Sequence, residues 1–208
     1  PEVTYSHTGS DTPISFKMTA GSLGATVTIT MPANTAGFPA IIQVIPPNTT
    51  VTVDLSARKA QVENVYDNLD GISGKSNKGI YIESNNPITV YYEVGMTNNC
   101  DLFALKGRNG LGVEFWTVFQ NMGYNMSSNW VVPATSAIDI VATEDGTVVT
   151  IESPLPSQNL FFYGTANFSI NLNKGETFSI PPAWITNVPI NDGTCATGKY
   201  ATDLFGRA

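Results

Sequence analysis

The chain has 208 residues, a net charge of −7 and only 13% charged residues, with Asn and Thr together making up about a fifth. Binding to a phosphate backbone needs clustered Lys and Arg. Here the basic residues lie scattered apart from Arg58-Lys59, which argues against nucleic acid as a partner. No window approaches 18 uninterrupted apolar residues, so nothing reads as a membrane-spanning helix, and membrane insertion is not expected.

The length allows one large all-β domain or two small ones. Thr favours strands and Asn favours turns, so the composition suits an exposed β protein kept soluble by neutral polar side chains. The chain opens on Pro1 without a charged-then-apolar leader, which reads as a mature product or an excerpt of something longer.

Extended segments follow one another at the spacing of sandwiches and barrels. Ile14 to Met18 comes first, within a lead-in strand and loop over 1–24. Val27, Ile29 and Met31 then share one face of Ala25 to Met31. Ala40 to Ile45 is more continuously apolar and reads as a central strand, broken by Pro46-Pro47-Asn48, after which Thr50 to Leu55 alternates again. Ser56 to Tyr66 is the one helical candidate, with Ser56 as its cap. Asp70-Gly71 through Lys78-Gly79 reads as a loop of low order.

The stretch Gly79 to Val94 organises the chain. Ile80 and Ile82 share one face, and Ile88, Val90, Tyr92 and Val94 alternate after Asn85-Asn86-Pro87. Asn tolerates left-handed backbone and Pro presets its φ, so this reads as a hairpin with a three- to five-residue connection. Asp101 to Leu105 and Val113 to Phe119 are the next strands, joined by the Gly-rich link 106–112. That link lacks the Gly-Lys-Ser/Thr of a phosphate cradle. Trp130 to Val132, Ala137 to Ala142 and Thr147 to Ile151 follow, with Glu144-Asp145-Gly146 as the hairpin turn between the last two. Leu160 to Tyr163, Phe168 to Leu172 and Thr177 to Ile180 complete the regular part, with Asn173-Lys174-Gly175 as a turn. No βαβ rhythm occurs, so the expected fold is an antiparallel β-sandwich-type module with at most one short helix.

Candidate chemistry is sparse. The sole histidine, His7, lies in a polar N-terminal stretch and reads as a surface residue, and one His with two Cys cannot build a zinc site. Glu83, Glu93, Glu114 and Asp139 are the carboxylates a glycosidase would draw on, but the same spacing describes any polar sheet face. Asp67 to Gly71 and Asn191-Asp192-Gly193 are acidic turns without the Asp-x-Asp-x-Asp-Gly spacing. No cofactor is expected, with calcium at these turns as the alternative. Trp116 and Trp130 read as core, whereas Tyr124, in a polar loop, is the candidate ligand-binding aromatic. Asn48, Asn125 and Asn167 head glycosylation sequons that matter only in a pathway attaching N-glycans. Cys100 and Cys195 lie 95 positions apart. Joined outside the cell, they would stabilise by about 4–5 kcal/mol on the chain-entropy model. Buried free thiols are the alternative.

Several blocks together resemble the N-terminal domain of IgG-Fc-binding-protein-like chains, found in animal mucus proteins and in large secreted surface proteins of Bacteroidetes-type bacteria. The blocks are Gly79 to Val94, Asp101 to Leu105 with Leu111 to Phe115, Ile140 to Ile151, and Leu172 to Phe178, preceded by Pro46 to Val53. The likeness runs over about residues 25 to 206, making 25–208 one β-rich domain. Thr202-Asp203-Leu204-Phe205-Gly206 is similar to the opening of the family's second block, and there the chain stops. The resemblance therefore implies an unfinished edge at Asp203, Leu204 and Phe205, open to strand addition. It also implies a non-catalytic extracellular or cell-surface module for adhesion or structure, assembling with copies of itself or with neighbouring domains of a longer chain. Surface glycans or glycoproteins are further expected partners. A carbohydrate-binding module is the alternative, and a carboxylate glycosidase a more distant one.

Overall fold

The computed structural model describes residues 13–62, 74–95, 100–119, 138–152, 167–180, 184–185, 200–201 and 204–207. The expected strands form where the chain is described, and those expected at 130–132 and 160–163 lie outside the described residues. The described strands are β1 (Ile14–Ala20), β2 (Ala25–Thr30), β3 (Ile41–Ile45), β4 (Thr50–Asp54), β5 (Gly74–Ser76), β6 (Tyr81–Ser84), β7 (Ile88–Val94) and β8 (Asp101–Ala104). After these come β9 (Trp116–Phe119), β10 (Ile138–Val141), β11 (Thr147–Glu152), β12 (Asn167–Leu172), β13 (Thr177–Ile180), β14 (Trp184–Ile185), β15 (Tyr200–Ala201) and β16 (Leu204–Arg207). The helical candidate shrinks, among the described residues, to a 3₁₀ turn at Ser56–Arg58 running into one α-turn at Lys59–Val62. The fold is all-β, and among the described residues every strand pairing is antiparallel.

Two sheets enclose the first core. One runs β4-β1-β7-β8 and the other β3-β2-β6. Alternation in β1 sends Ile14, Phe16, Met18 and Ala20 inward, where they meet Val27 and Ile29 from β2, Met31 just after it, and Val90 and Tyr92 from β7. Phe16 and Tyr92 oppose each other across the β1–β7 ladder, with ring centroids 5.5 Å apart. β1 thus lies between β4 and β7, inside the sheet. A second, smaller core joins Ile138, Ile151 and Ile180 with Ile140, Val149, Phe168, Ile170 and Phe178. It lies between the sheets β10-β13-β5 and β12-β11-β16-β9.

The organising stretch is not a hairpin. β6 pairs with β2 and β7 pairs with β1, so the chain crosses from one sheet to the facing one at Asn85-Asn86-Pro87. The asparagines are taken up by β2. Asn85 N–H donates to Thr26 O (3.2 Å), Thr26 N–H donates to Asn85 Oδ1 (2.7 Å), and Asn86 Nδ2 donates to Gly24 O (2.9 Å). Glu144-Asp145-Gly146 is likewise a crossing, because β10 and β11 belong to different sheets. It is tied to the 173–175 turn: Lys174 N–H donates to Asp145 Oδ1 (3.0 Å) and Gly146 N–H to Asn173 Oδ1 (3.2 Å).

Two further expectations are corrected. β3 is an edge strand, leaving Ile42 and Val44 exposed on its outer face, where a central strand was expected. Within the supposed loop 70–79, Gly74–Ser76 forms β5, which crosses to pair with β13 of the second core.

Candidate interaction surface

The most exposed apolar side chains of the described residues include a run along one segment. β8 ends its sheet on the far side of β7, and the link 105–115 leads from it to Trp116, the first residue of β9. Leu102 (56% exposed), Phe103 (47%), Leu111, Val113, Phe115 and Trp116 (71%) all face solvent. The sequence reading placed Trp116 in the core, and the structure corrects this. Its strand is the end strand of a four-stranded sheet, and the indole faces solvent there. The 3₁₀ turn Gly107–Gly110 shapes the link, with Gly107 at φ +56 in left-handed backbone that glycine adopts without a Cβ penalty. The Phe115 ring lies over Gly112, where a Cβ would come within 3.2 Å of it.

The backbone of β8 is arranged by its pairing with β7. Leu105 N–H donates to Val90 O (3.0 Å), and the register sets Phe103 opposite Tyr92 and Asp101 opposite Val94. In an antiparallel ladder these alternate residues face the partner strand, so Leu102 and Ala104 direct their N–H and C=O groups away from β7. The Leu102 N–H donates to Asp101 Oδ1 (2.8 Å).

The other predicted positions separate. Tyr124, Cys195 and Asp203 lie outside the described residues, as do His7, Trp130 and the acidic turns at 67–71 and 191–193. Cys100 is exposed just before β8. Leu204 and Phe205 were expected on an unfinished edge. The structure gives them a partner within the chain, since β16 pairs with β9 over Leu204↔Phe119 to Arg207↔Trp116 and meets β11 at Glu152↔Arg207.

The carboxylates a glycosidase would need sit on separate elements: Glu83 on β6, Glu93 on β7, Glu114 in the link and Asp139 on β10. Glu93 accepts the Ser15 hydroxyl (2.8 Å) and pairs with Lys17 (3.1 Å). Those two partners, Ser15 first, hold its pKa below the ordinary glutamate value. Asp139 accepts the Ser179 hydroxyl at 2.6 Å. Both are tied into sheet cross-links. Among the described residues no group of three His, Cys, Asp or Glu is placed to hold a metal ion.

Sequence reasoning missed this surface because a two-sided apolar run such as Leu102-Phe103-Ala104-Leu105 reads as a buried strand. The signal that would have found it is the company it keeps: Lys106, Arg108 and Asn109 follow directly, and such a polar link leaves little to cover the strand's second face. No family model, curated protein or solved structure matches the chain.

Proposed function

We propose that the chain is a non-catalytic, extracellular adhesion or structural module that works by contact through the surface from β8 to Trp116. The observation that supports it most is that run of exposed apolar side chains, since a soluble chain rarely leaves such a group uncovered without a partner for it. The run joins an end strand of one sheet over the first core to an end strand of one sheet over the second. The reading carries with it a Cys100–Cys195 disulfide formed outside the cell, and copies of the same chain or surface glycoproteins as partners.

The test is retention of the labelled full chain on mucin-coated and bare surfaces. The double variant Phe115→Ser/Trp116→Ser is expected to lower retention about tenfold or more, the scale of losing buried aromatic contacts. Retention unchanged by both substitutions would remove the support. A second reading, a carbohydrate-binding module, is favoured by Trp116, whose solvent-facing ring is of the kind that packs on apolar faces while its N–H stays hydrated. A defined glycan retained by the wild type and lost in Trp116→Ala would select that reading over protein adhesion.

A further inference from the structure

We propose that β8 is a self-pairing edge: two copies of this chain join through their β8 strands about a twofold axis at Phe103, and Asp101 holds that pairing in check. The inference rests on the assembling version of the reading above and needs no surface ligand.

The hydrogen-bond pattern is self-complementary. Leu102 and Ala104 flank Phe103 and are the β8 residues whose backbone groups face away from β7. Set antiparallel with Phe103 opposite Phe103, each Leu102 N–H meets the Ala104 oxygen of the other copy, and each Ala104 N–H meets its Leu102 oxygen. No outward group of the strand is left over. The phenylalanines then oppose each other in the non-hydrogen-bonded pair, where cross-strand side chains come closest and aromatic pairs stabilise. Phe103 is half exposed and lies on the same face as Tyr92, so the new contact would extend the first core across the axis.

Charge does not stand against a second copy at this one edge. Each chain carries −7, which repels a copy approaching over most of the surface. In this register Leu102 of one copy comes opposite Ala104 of the other and Asp101 opposite Leu105, so no like charges face each other along the short ladder. The adjoining Leu111, Val113 and Phe115 would add apolar area once the strands are joined. A long unguarded edge with these side chains would aggregate. Here the guard is local: the Asp101 carboxylate already occupies the Leu102 N–H at 2.8 Å, and must let go before a second strand can bind.

The experiment is sedimentation equilibrium of the full chain over a concentration series, for the wild type, Asp101→Ala, Ala104→Pro and the double variant. Removing the guard frees a donor on each copy, so Asp101→Ala is expected to tighten dimerisation about tenfold. Ala104→Pro deletes the outward N–H and leaves the bonds to β7 in place, as proline allows on an edge. The double variant is therefore expected to lose the gain, and the Ala104 amide of Asp101→Ala to slow its hydrogen exchange as concentration rises. If circular dichroism shows that Ala104→Pro does not fold, Leu102→Lys, at an exposed position, takes its place with the same expected loss. Asp101→Ala associating no more tightly than the wild type, or a gain that survives Ala104→Pro, would overturn the inference. Absence of a dimer in both the wild type and Asp101→Ala, with surface retention intact, overturns this inference alone, whereas unchanged retention in Phe115→Ser/Trp116→Ser with the dimer intact counts only against the adhesive reading.

Discussion

Glu93 shows how a surface carboxylate can matter to a sheet. It stands on β7 opposite Ser15 of β1, accepts that buried hydroxyl, and holds Lys17 on the same outer face. Its pKa is lowered by the Ser15 hydrogen bond first and then by Lys17. Glu176 is lowered by Lys75 and the Asn173 N–H, and Asp54 by the Ser56 side chain and backbone. A carboxylate with a depressed folded-state pKa adds stability that is fully present above its unfolded pKa. That stability is lost as pH falls through the folded value. Melting temperature should therefore drop as pH falls through about 4, where unfolded carboxylates begin to take up protons. Glu93→Gln should cost at most ~1 kcal/mol at neutral pH, because the pair is partly exposed, and should shallow the acid slope. Melts from pH 7 to 3 check this. A slope identical to wild type would mean that the Ser15–Glu93–Lys17 cluster does not couple protonation to folding.

At the scale of elements, the crossing at Asn85-Asn86-Pro87 is held by β2. β6 pairs with β2 up to Val27↔Ser84, and Asn85 then continues that edge with its own backbone and side chain on Thr26. Asn85→Ala leaves the Thr26 N–H without its 2.7 Å acceptor and should cost about 1–2 kcal/mol. Asn85→Asp keeps the acceptor and should cost less. Chemical denaturation of the two variants decides it, and equal losses would show that the side chain contributes nothing specific. The same crossing shows what the sequence could disclose. Alternation in 25–31 revealed the buried face of β2, because a strand with one covered face must repeat every second residue. Alternation reports which face is covered and is silent about which strand lies alongside. Two alternating segments around a turn therefore read as a hairpin whether they share a sheet or face each other across a core. Ile42, Val44 and Trp116 were misread for a related reason. Apolar side chains mark a strand, but only the neighbours fix whether it is central or at an edge. The Leu102 to Trp116 surface stayed hidden for that reason.

For the molecule as a whole, the decisive features are those that tie the two cores together. β5, between β4 and β6 in the chain, is spent on the sheet of the second core, where Lys75 pairs with Glu176 at 2.6 Å. Nearby, Gly79 N–H donates to Gly175 O (3.1 Å), and Lys174 sits 5.4 Å from the Tyr81 ring centroid. Gly175 has φ +80, and a Cβ there would come 2.9 Å from the Ala33 nitrogen and 3.0 Å from Pro32 Cβ. Glycine is needed twice over, for backbone and for space. Links of this kind should make the cores unfold as one. Phe16→Ala, which empties part of the first core, should cost about 3–5 kcal/mol. All three tryptophans lie at 116 or beyond, so their fluorescence reports the other half of the chain. The tryptophan-detected melting point of Phe16→Ala should therefore fall as far as the one detected by far-UV circular dichroism. Gly175→Ala adds a left-handed backbone penalty of about 1–2 kcal/mol and pushes against Pro32-Ala33, so it should separate the two transitions. A tryptophan melt untouched by Phe16→Ala would mean that each core stands alone, and that β5 and the Gly79–Gly175 contact join the cores without coupling them.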